Sequence, residues 1–167
     1  MAERRDGGMK MKKIILYYSF SGKTAVLADE LGRLLEADVI RLNDTSKKKG
    51  FARLPELMKA GTVETVPAKV DLSGYGEVFI GGPNWGGKSA PPLNSFIERN
   101  DFSGKQVKVF VAQSLAGAKK VYGDLAARIE KKGGKAVGFA GFSTLLKSAS
   151  RLRAAAGKRH EFLKEGV

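Results

Sequence analysis

The chain has 167 residues, and its 30 Lys and Arg against 17 Asp and Glu give a formal charge of +13. That length suits one domain with a sizeable core, and 43% hydrophobic with 28% charged residues is a globular balance. With no cysteine and one histidine, His160, the chain has no material for disulfides, thiolate metal sites, iron–sulfur clusters, cysteine nucleophiles or a Ser-His-Asp triad. No apolar run approaches the ~20 residues of a membrane span. The first 13 residues lack the apolar core of a secretory signal, so a cytoplasmic protein without a membrane span is expected.

Residues 1–11 read as a flexible leader, charged and without periodicity, ahead of a single domain over 12–167. Residues 13–18 (KIILYY) form a continuous apolar run, as a strand buried on both faces requires. After a polar break, Leu27, Ala28, Leu31, Leu34 and Leu35 mark one face of a helix, and 39–42 is a second short strand. The least regular stretch, 43–76, holds one short predicted helix over 54–60 with Gly61 at its end. Residues 77–81 form a third strand, and Pro91-Pro92 then open a helix carrying Leu93, Phe96 and Ile97. A fourth strand follows at 106–112, and then a helix marked by Val121, Leu125 and Ile129 and stopped by Gly133-Gly134. Residues 135–142 predict a fifth strand and 145–162 a last helix, with Leu145, Ala149, Leu152 and Ala156 inward. Strands of buried type alternating with helices imply a parallel sheet covered on both faces, whose ligand site lies beyond the carboxyl ends of the strands.

The loops at those ends carry the chemistry. Ser19-Phe20-Ser21-Gly22-Lys23-Thr24 joins a buried strand to a helix N-terminus, where unpaired N–H groups attract an anion. Ser19, Ser21 and Thr24 add hydroxyls and Gly22 permits a tight turn, a composition suited to a monophosphate, although Ser and Thr also cap ordinary helices. Gly82-Pro83-Asn84-Trp85-Gly86-Gly87-Lys88-Ser89 matches G-x-x-x-x-G-K-[ST], the triphosphate P-loop. Pro91 and Pro92 argue against that use, because they remove donors from the helical turn that must follow, and the predicted strands 106–112 and 135–142 contain no carboxylate to bind magnesium. The same loop presents Trp85, the only tryptophan, where it is placed to stack on a planar heterocycle.

Tyr18-Ser19-Phe20-Ser21-Gly22-Lys23-Thr24 resembles the phosphate loop of the flavodoxin family, and Gly82-Pro83-Asn84-Trp85-Gly86-Gly87 resembles its second flavin loop. The lead-in Asp71-Leu72-Ser73-Gly74-Tyr75 is similar as well, and the resemblance runs from Lys12 to Lys164. It implies an α/β flavodoxin-like three-layer sandwich, a five-stranded parallel sheet of order 2-1-3-4-5 with helices on both faces, and non-covalent FMN as cofactor. Carried over, Ser19, Phe20, Ser21, Gly22, Lys23 and Thr24 form the phosphate loop. Pro83, Asn84, Trp85, Gly86 and Gly87 border the isoalloxazine, with Gly86-Gly87 free to reorient their peptide. Gln113, Ser114, Leu115 and Gly117 fill the third loop. Lys23 replaces the usual asparagine, Phe20 a polar or basic residue, and Leu115 offers no second aromatic. Flavodoxins are typically acidic; here nearby positive charge predicts a less negative second-electron potential, one charge at ~10 Å contributing about 1.5 kcal/mol at a dielectric near 20.

The basic residues are spread along the chain without interleaved aromatics, so solvated faces are favoured over a specific nucleic-acid site, with an acidic redox protein as the alternative partner. An electron carrier, monomeric or homodimeric, is the leading expectation. The alternatives are an NAD(P)H-dependent quinone or flavin reductase, a P-loop hydrolase acting through residues 82–89, and a basic binding module without cofactor. No catalytic residue and no metal ligand is assigned. His160 reads as a surface residue, Lys88 as solvated, Tyr17 and Tyr18 as core and Tyr122 as half-buried packing.

Overall fold

A computed structural model describes residues 11–59 and 63–164. Residues 1–10 of the expected leader, the predicted helix end at Ala60 and Gly61, and the last three residues lie outside the described residues. The strands are β1 (Lys12–Tyr18), β2 (Asp38–Asp44), β3 (Thr65–Val66), β4 (Tyr75–Pro83), β5 (Gln106–Gln113) and β6 (Lys135–Ser143). The helices are α1 (Lys23–Leu35), α2 (Leu54–Lys59), α3 (Pro91–Arg99), α4 (Ala118–Lys131), α5 (Ala149–Arg159) and α6 (Glu161–Lys164). The sheet runs β3-β2-β1-β4-β5-β6, with every pair parallel except β2–β3.

The five predicted strands therefore appear in the expected order, and a sixth is added. β3 is a two-residue antiparallel pairing of Thr65 and Val66 with Asp44 and Asn43. Two residues carry no periodicity, so no pattern announces it. The predicted last helix is divided. Its first turn, 145–148, is irregular, Ser148 Oγ accepts from the Arg151 amide at the true start, and α6 follows after His160. Leu145 is consequently 47% exposed, and Ala149, also expected inward, is exposed in the first turn of α5, whereas Leu152 and Ala156 are buried as expected.

Alternation along the strands divides the core into two layers. Ile14, Leu16, Val78, Ile80, Val107, Val109 and Val111 face α3 and α4 through Leu93, Phe96, Val121 and Leu125. Ile15, Phe79, Phe110 and Phe142 face α1 and α5 through Leu27, Leu31, Leu152 and Ala156. Near the carboxyl end of β4, glycine is required twice: a Cβ on Gly81 would lie 2.0 Å from Phe110 Cζ, and one on Gly82 2.2 Å from Leu93 Cδ1. The Phe110 ring of β5 on one face and Leu93 of α3 on the other thus close tightly on the strand beneath the loop that follows.

Candidate functional site

The loops after β1, β4 and β5 meet at the carboxyl edge of the sheet. In the first, Gly22 adopts φ 88°, a left-handed conformation that glycine takes without steric cost, and α1 begins at Lys23 with no side-chain cap. Ser19 is buried, and its Oγ accepts from the amides of Gly22 and Ala25 at 3.1 and 3.2 Å. That hydroxyl shapes the loop. Among the described residues the amides of Lys23 and Thr24 have no hydrogen-bond acceptor, and α1 has no acidic residue in its first turn. Together with the Ser21 and Thr24 hydroxyls they form a set of donors suited to an oxyanion. The Lys23 side chain is committed elsewhere, donating to the Thr144 carbonyl at 2.6 Å.

The second loop is a two-residue hairpin. Trp85 and Lys88 exchange backbone hydrogen bonds at 3.1 and 3.2 Å, and Gly86 and Gly87 between them have φ 63° and 83°. Two consecutive positive φ values define a turn of type I′, which glycine fills readily. This geometry disposes of the P-loop match. Gly87, Lys88 and Ser89 lie in and beyond the hairpin turn, while α3 begins only at Pro91. Ser89 is instead buried and donates to Asp124 of α4. Burial acts to raise the Asp124 carboxyl, but hydrogen bonds from Ser89 and the Arg128 guanidinium outweigh it and hold the group below the ordinary carboxylate range.

Asn84 connects the second loop to the third. Its Oδ1 accepts from the Gly87 amide at 2.7 Å and its Nδ2 donates to the Ala116 carbonyl at 2.6 Å. Gly117, at φ 108°, lets the third loop pass close by: a Cβ there would stand 3.0 Å from Asn84 Nδ2 and 3.4 Å from Gly87 Cα. Gln113 Oε1 accepts from the Ala118 amide at the start of α4, and its carbonyl accepts from Thr144. Ser114 and Leu115 are exposed at the tip. Pro83 ends β4, where its partner Ala112 also accepts from the Asn84 amide.

Trp85 is half-buried, with the rings of Tyr18 and Phe20 edge-on to it at 6.2 and 5.6 Å. Around Phe20 lies a group that the sequence did not reveal. Arg53 sits 4.7 Å above the Phe20 ring and pairs with Asp44 at 3.2 Å, while Tyr18 donates its hydroxyl to the same carboxylate oxygen at 2.8 Å. Burial, followed by that hydrogen bond, pushes the Tyr18 hydroxyl well above its ordinary value, so it stays a donor. Arg41 donates to the Ser19 carbonyl at 3.2 Å. The Arg53 Nε is buried and has no hydrogen-bond partner among the described residues. Apart from the Arg53–Asp44 pair, these contacts join residues 22 to 33 positions apart, across a stretch with no clear periodicity, and the short 3-10 turn Gly50–Arg53 brings Arg53 to them.

Other singled-out residues take structural places. Tyr17 and Tyr18 are core, and Tyr122 packs against Phe139 at 5.1 Å. His160 is half-buried, with its ring nitrogens against the Gly157 carbonyl and Glu161. No helix among the described residues is long and apolar enough to cross a membrane.

Among solved structures, the chain resembles a candidate flavoprotein from Bacteroides uniformis ATCC 8492 with a TM-score of 0.70 at 19% identity, over 88% of this chain and 98% of that one. It also resembles a flavoprotein in complex with FMN from Lactobacillus acidophilus NCFM (TM-score 0.61, 17% identity, 78% and 93% coverage). A Fusobacterium nucleatum flavodoxin bound to flavin mononucleotide aligns with a TM-score of 0.56 at 16% identity, over 92% of this chain and 98% of its own. At these identities the likeness is one of fold. A search of curated protein sequences gives no match. The family model described as flavodoxin matches residues 12–140, well over half of the length, and the chain therefore belongs to the flavodoxin family.

Proposed function

We propose that this protein binds FMN non-covalently at the carboxyl edge and carries electrons between redox partners in the cytoplasm. The observation that carries this reading is the uncapped start of α1, whose Lys23 and Thr24 amides lack acceptors, beside the half-buried Trp85. An oxyanion cradle next to an aromatic surface suits a phosphorylated planar heterocycle. Two of the structural relatives are recorded with FMN, which supports the same choice. The Lys23 and Thr24 amides and the Ser21 and Thr24 hydroxyls hold the phosphate, while Ser19 and Gly22 fix the loop that presents them. Pro83, Trp85, Gly86 and Gly87 border the ring system, and Phe20 backs Trp85. Asn84, Gln113 and Gly117 hold the second and third loops in register, and Ser114 and Leu115 complete the third loop at the rim of the cofactor site. FMN, when bound, supplies one- and two-electron chemistry, and the protein tunes it.

Binding through a phosphate cradle is tested by titrating the flavin-free protein with FMN and with riboflavin, following flavin fluorescence. FMN is expected to bind at least ~100-fold more tightly, as several charge-assisted hydrogen bonds require. Equal affinity would remove the phosphate from the account.

The reductase reading is favoured by one observation. Leu115 is 80% exposed and the third loop, residues 113–117, contains no aromatic, which leaves space for another flat molecule such as NAD(P)H or a quinone. Against it, the loops leaving β1, β2, β4, β5 and β6 contain no histidine, and Tyr18 is committed to Asp44. Steady-state oxidation of NAD(P)H with a quinone acceptor and no added reductase separates the two. A carrier gives no sustained turnover, and rapid turnover makes the protein a reductase.

A further inference from the structure

We propose that the carboxyl edge is a docking face for an acidic protein, a partner that the electron-carrier reading requires and whose chemistry this surface specifies. Five segments leave the carboxyl ends of strands there: 19–24, 44–53, 83–90, 113–120 and 143–151. Together they hold ten of the 30 Lys and Arg and only one of the 17 Asp and Glu. That one is Asp44, whose side chain is 1% exposed and already engaged by Arg53 and Tyr18. The remainder of the chain, with 20 basic and 16 acidic residues, is close to balanced. Two more carboxylates reach these segments from neighbouring helices, Glu56 accepting from Ser46 and Asp124 accepting from Ser89, and the edge still keeps a clear excess of positive charge.

The same end carries the apolar surface. Leu146, Leu115 and Phe51 are the three most exposed large hydrophobic side chains among the described residues, at 90, 80 and 77%. Each stands on a different one of these segments. Leu146 has φ 52°, a backbone region that leucine seldom adopts. The segments form one surface, because Phe51 packs on Phe20 at 5.4 Å, Asn84 donates to the Ala116 carbonyl, and Lys23 donates to the Thr144 carbonyl. Strand spacing makes this surface ~20 Å across, comparable with a standard protein interface.

Exposed apolar residues among an excess of cations are the arrangement of an interface whose apolar contacts give affinity and whose charges steer an oppositely charged partner. A nucleic acid is a poorer match. Eight of the ten cations are lysines, and two of the three projecting side chains are leucines, which offer a base neither a stacking plane nor a hydrogen bond. An anionic membrane would cover the edge at which electrons must leave.

The test compares two variants of equal charge change. One reverses Lys48, Lys88, Lys119 and Arg151 to Glu on this edge; the other reverses Lys12, Lys69, Lys131 and Lys135, all exposed at the opposite end. The probe is an amphipathic helical peptide with a leucine stripe flanked by glutamates, titrated at about 0.15 M salt and mapped by amide chemical shifts. Expected are perturbations confined to the five segments, a loss of affinity of at least ~10-fold in the edge variant, and less than ~2-fold in the opposite-end variant. Leu115→Ser with Leu146→Ser is expected to weaken binding about 3-fold at unchanged net charge. Equal losses in both charge variants, or perturbations spread over both ends, would overturn the proposal. Tighter binding of duplex DNA, or of phosphatidylserine-containing vesicles, at the same salt would overturn it too, in favour of that partner. Peptide binding needs no flavin, so a failure here is distinguishable from a failure to bind FMN.

Discussion

At the amino end of the sheet, charges are paired and turns are self-satisfied. Lys108, 4% exposed, pairs with Glu77 at 2.8 Å, and Lys13 approaches the same carboxylate at 3.6 Å. Tyr75 donates to Asp38; Asp71 accepts from the Ser73 amide, and Asp101 from the Ser103 hydroxyl and amide, which holds both carboxyls below their ordinary range. At the carboxyl end, the first amides of α1 have no acceptor among the described residues, the hairpin uses two successive positive φ values, Gly117 adopts another, and the five loop segments hold ten cations and one carboxylate, with Glu56 and Asp124 reaching them from α2 and α4. The same strands connect the two ends. One end pairs its buried charge internally, whereas the other begins α1 with amides that have no acceptor among the described residues.

Four changes separate the roles of the two ends. The largest effect is expected at the amino end: Glu77→Ala removes the carboxylate partner of the buried Lys108 and costs about 3 kcal/mol in urea unfolding, with FMN affinity unchanged within ~2-fold. If FMN affinity fell in step with stability, the two ends would not be separable. Next, Gly117→Ala places a Cβ against Asn84 at a φ of 108°. It should cost about 2 kcal/mol of stability and, unlike the first change, weaken FMN at least ~10-fold in a fluorescence titration. A destabilised variant with normal FMN affinity would detach the third loop from the site.

Charge reversal at Lys48, Lys88, Lys119 and Arg151 is expected to make the second-electron potential more negative. Each charge contributes of order 1.5 kcal/mol at ~10 Å and an effective dielectric near 20, before salt screening reduces it. Reversal at the opposite end should leave the potential nearly unchanged, and spectroelectrochemistry of the loaded protein reads both. The smallest effect is in acid. Asp124 has a depressed folded-state value, so its contribution is present above the ordinary aspartate range near pH 4 and is lost as the pH falls through the folded value. The stability gap between the natural protein and Asp124→Asn should therefore narrow on acidification. A gap that stays constant or widens would contradict the Ser89–Asp124–Arg128 assignment.

The strands that build both ends were legible because burial on two faces demands unbroken apolar runs, as in Ile14, Ile15, Leu16, Tyr17 and Tyr18. The two glycine-bearing loops were legible for a related reason: glycine, serine and threonine cluster where backbone must turn tightly and leave donors unused. Legibility stopped where side chains choose among partners. Composition showed that Ser19 and Lys23 belong to the loop. It did not show that the Ser19 hydroxyl faces its own backbone or that Lys23 reaches Thr144, 121 residues away. Arg53 went unnoticed because its contacts with Asp44 and Phe20 span an irregular segment. The pattern predicts Leu145 inward because its apolar spacing runs one turn beyond the helix, across residues that instead form an exposed loop.

The central claim is that the carboxyl edge holds FMN. It is tested most directly by the visible absorption spectrum of the protein as purified, followed by acid release and identification of the chromophore. The account predicts a yellow protein that releases FMN in a ratio near one per chain. A colourless protein that also fails to take up added FMN would contradict it.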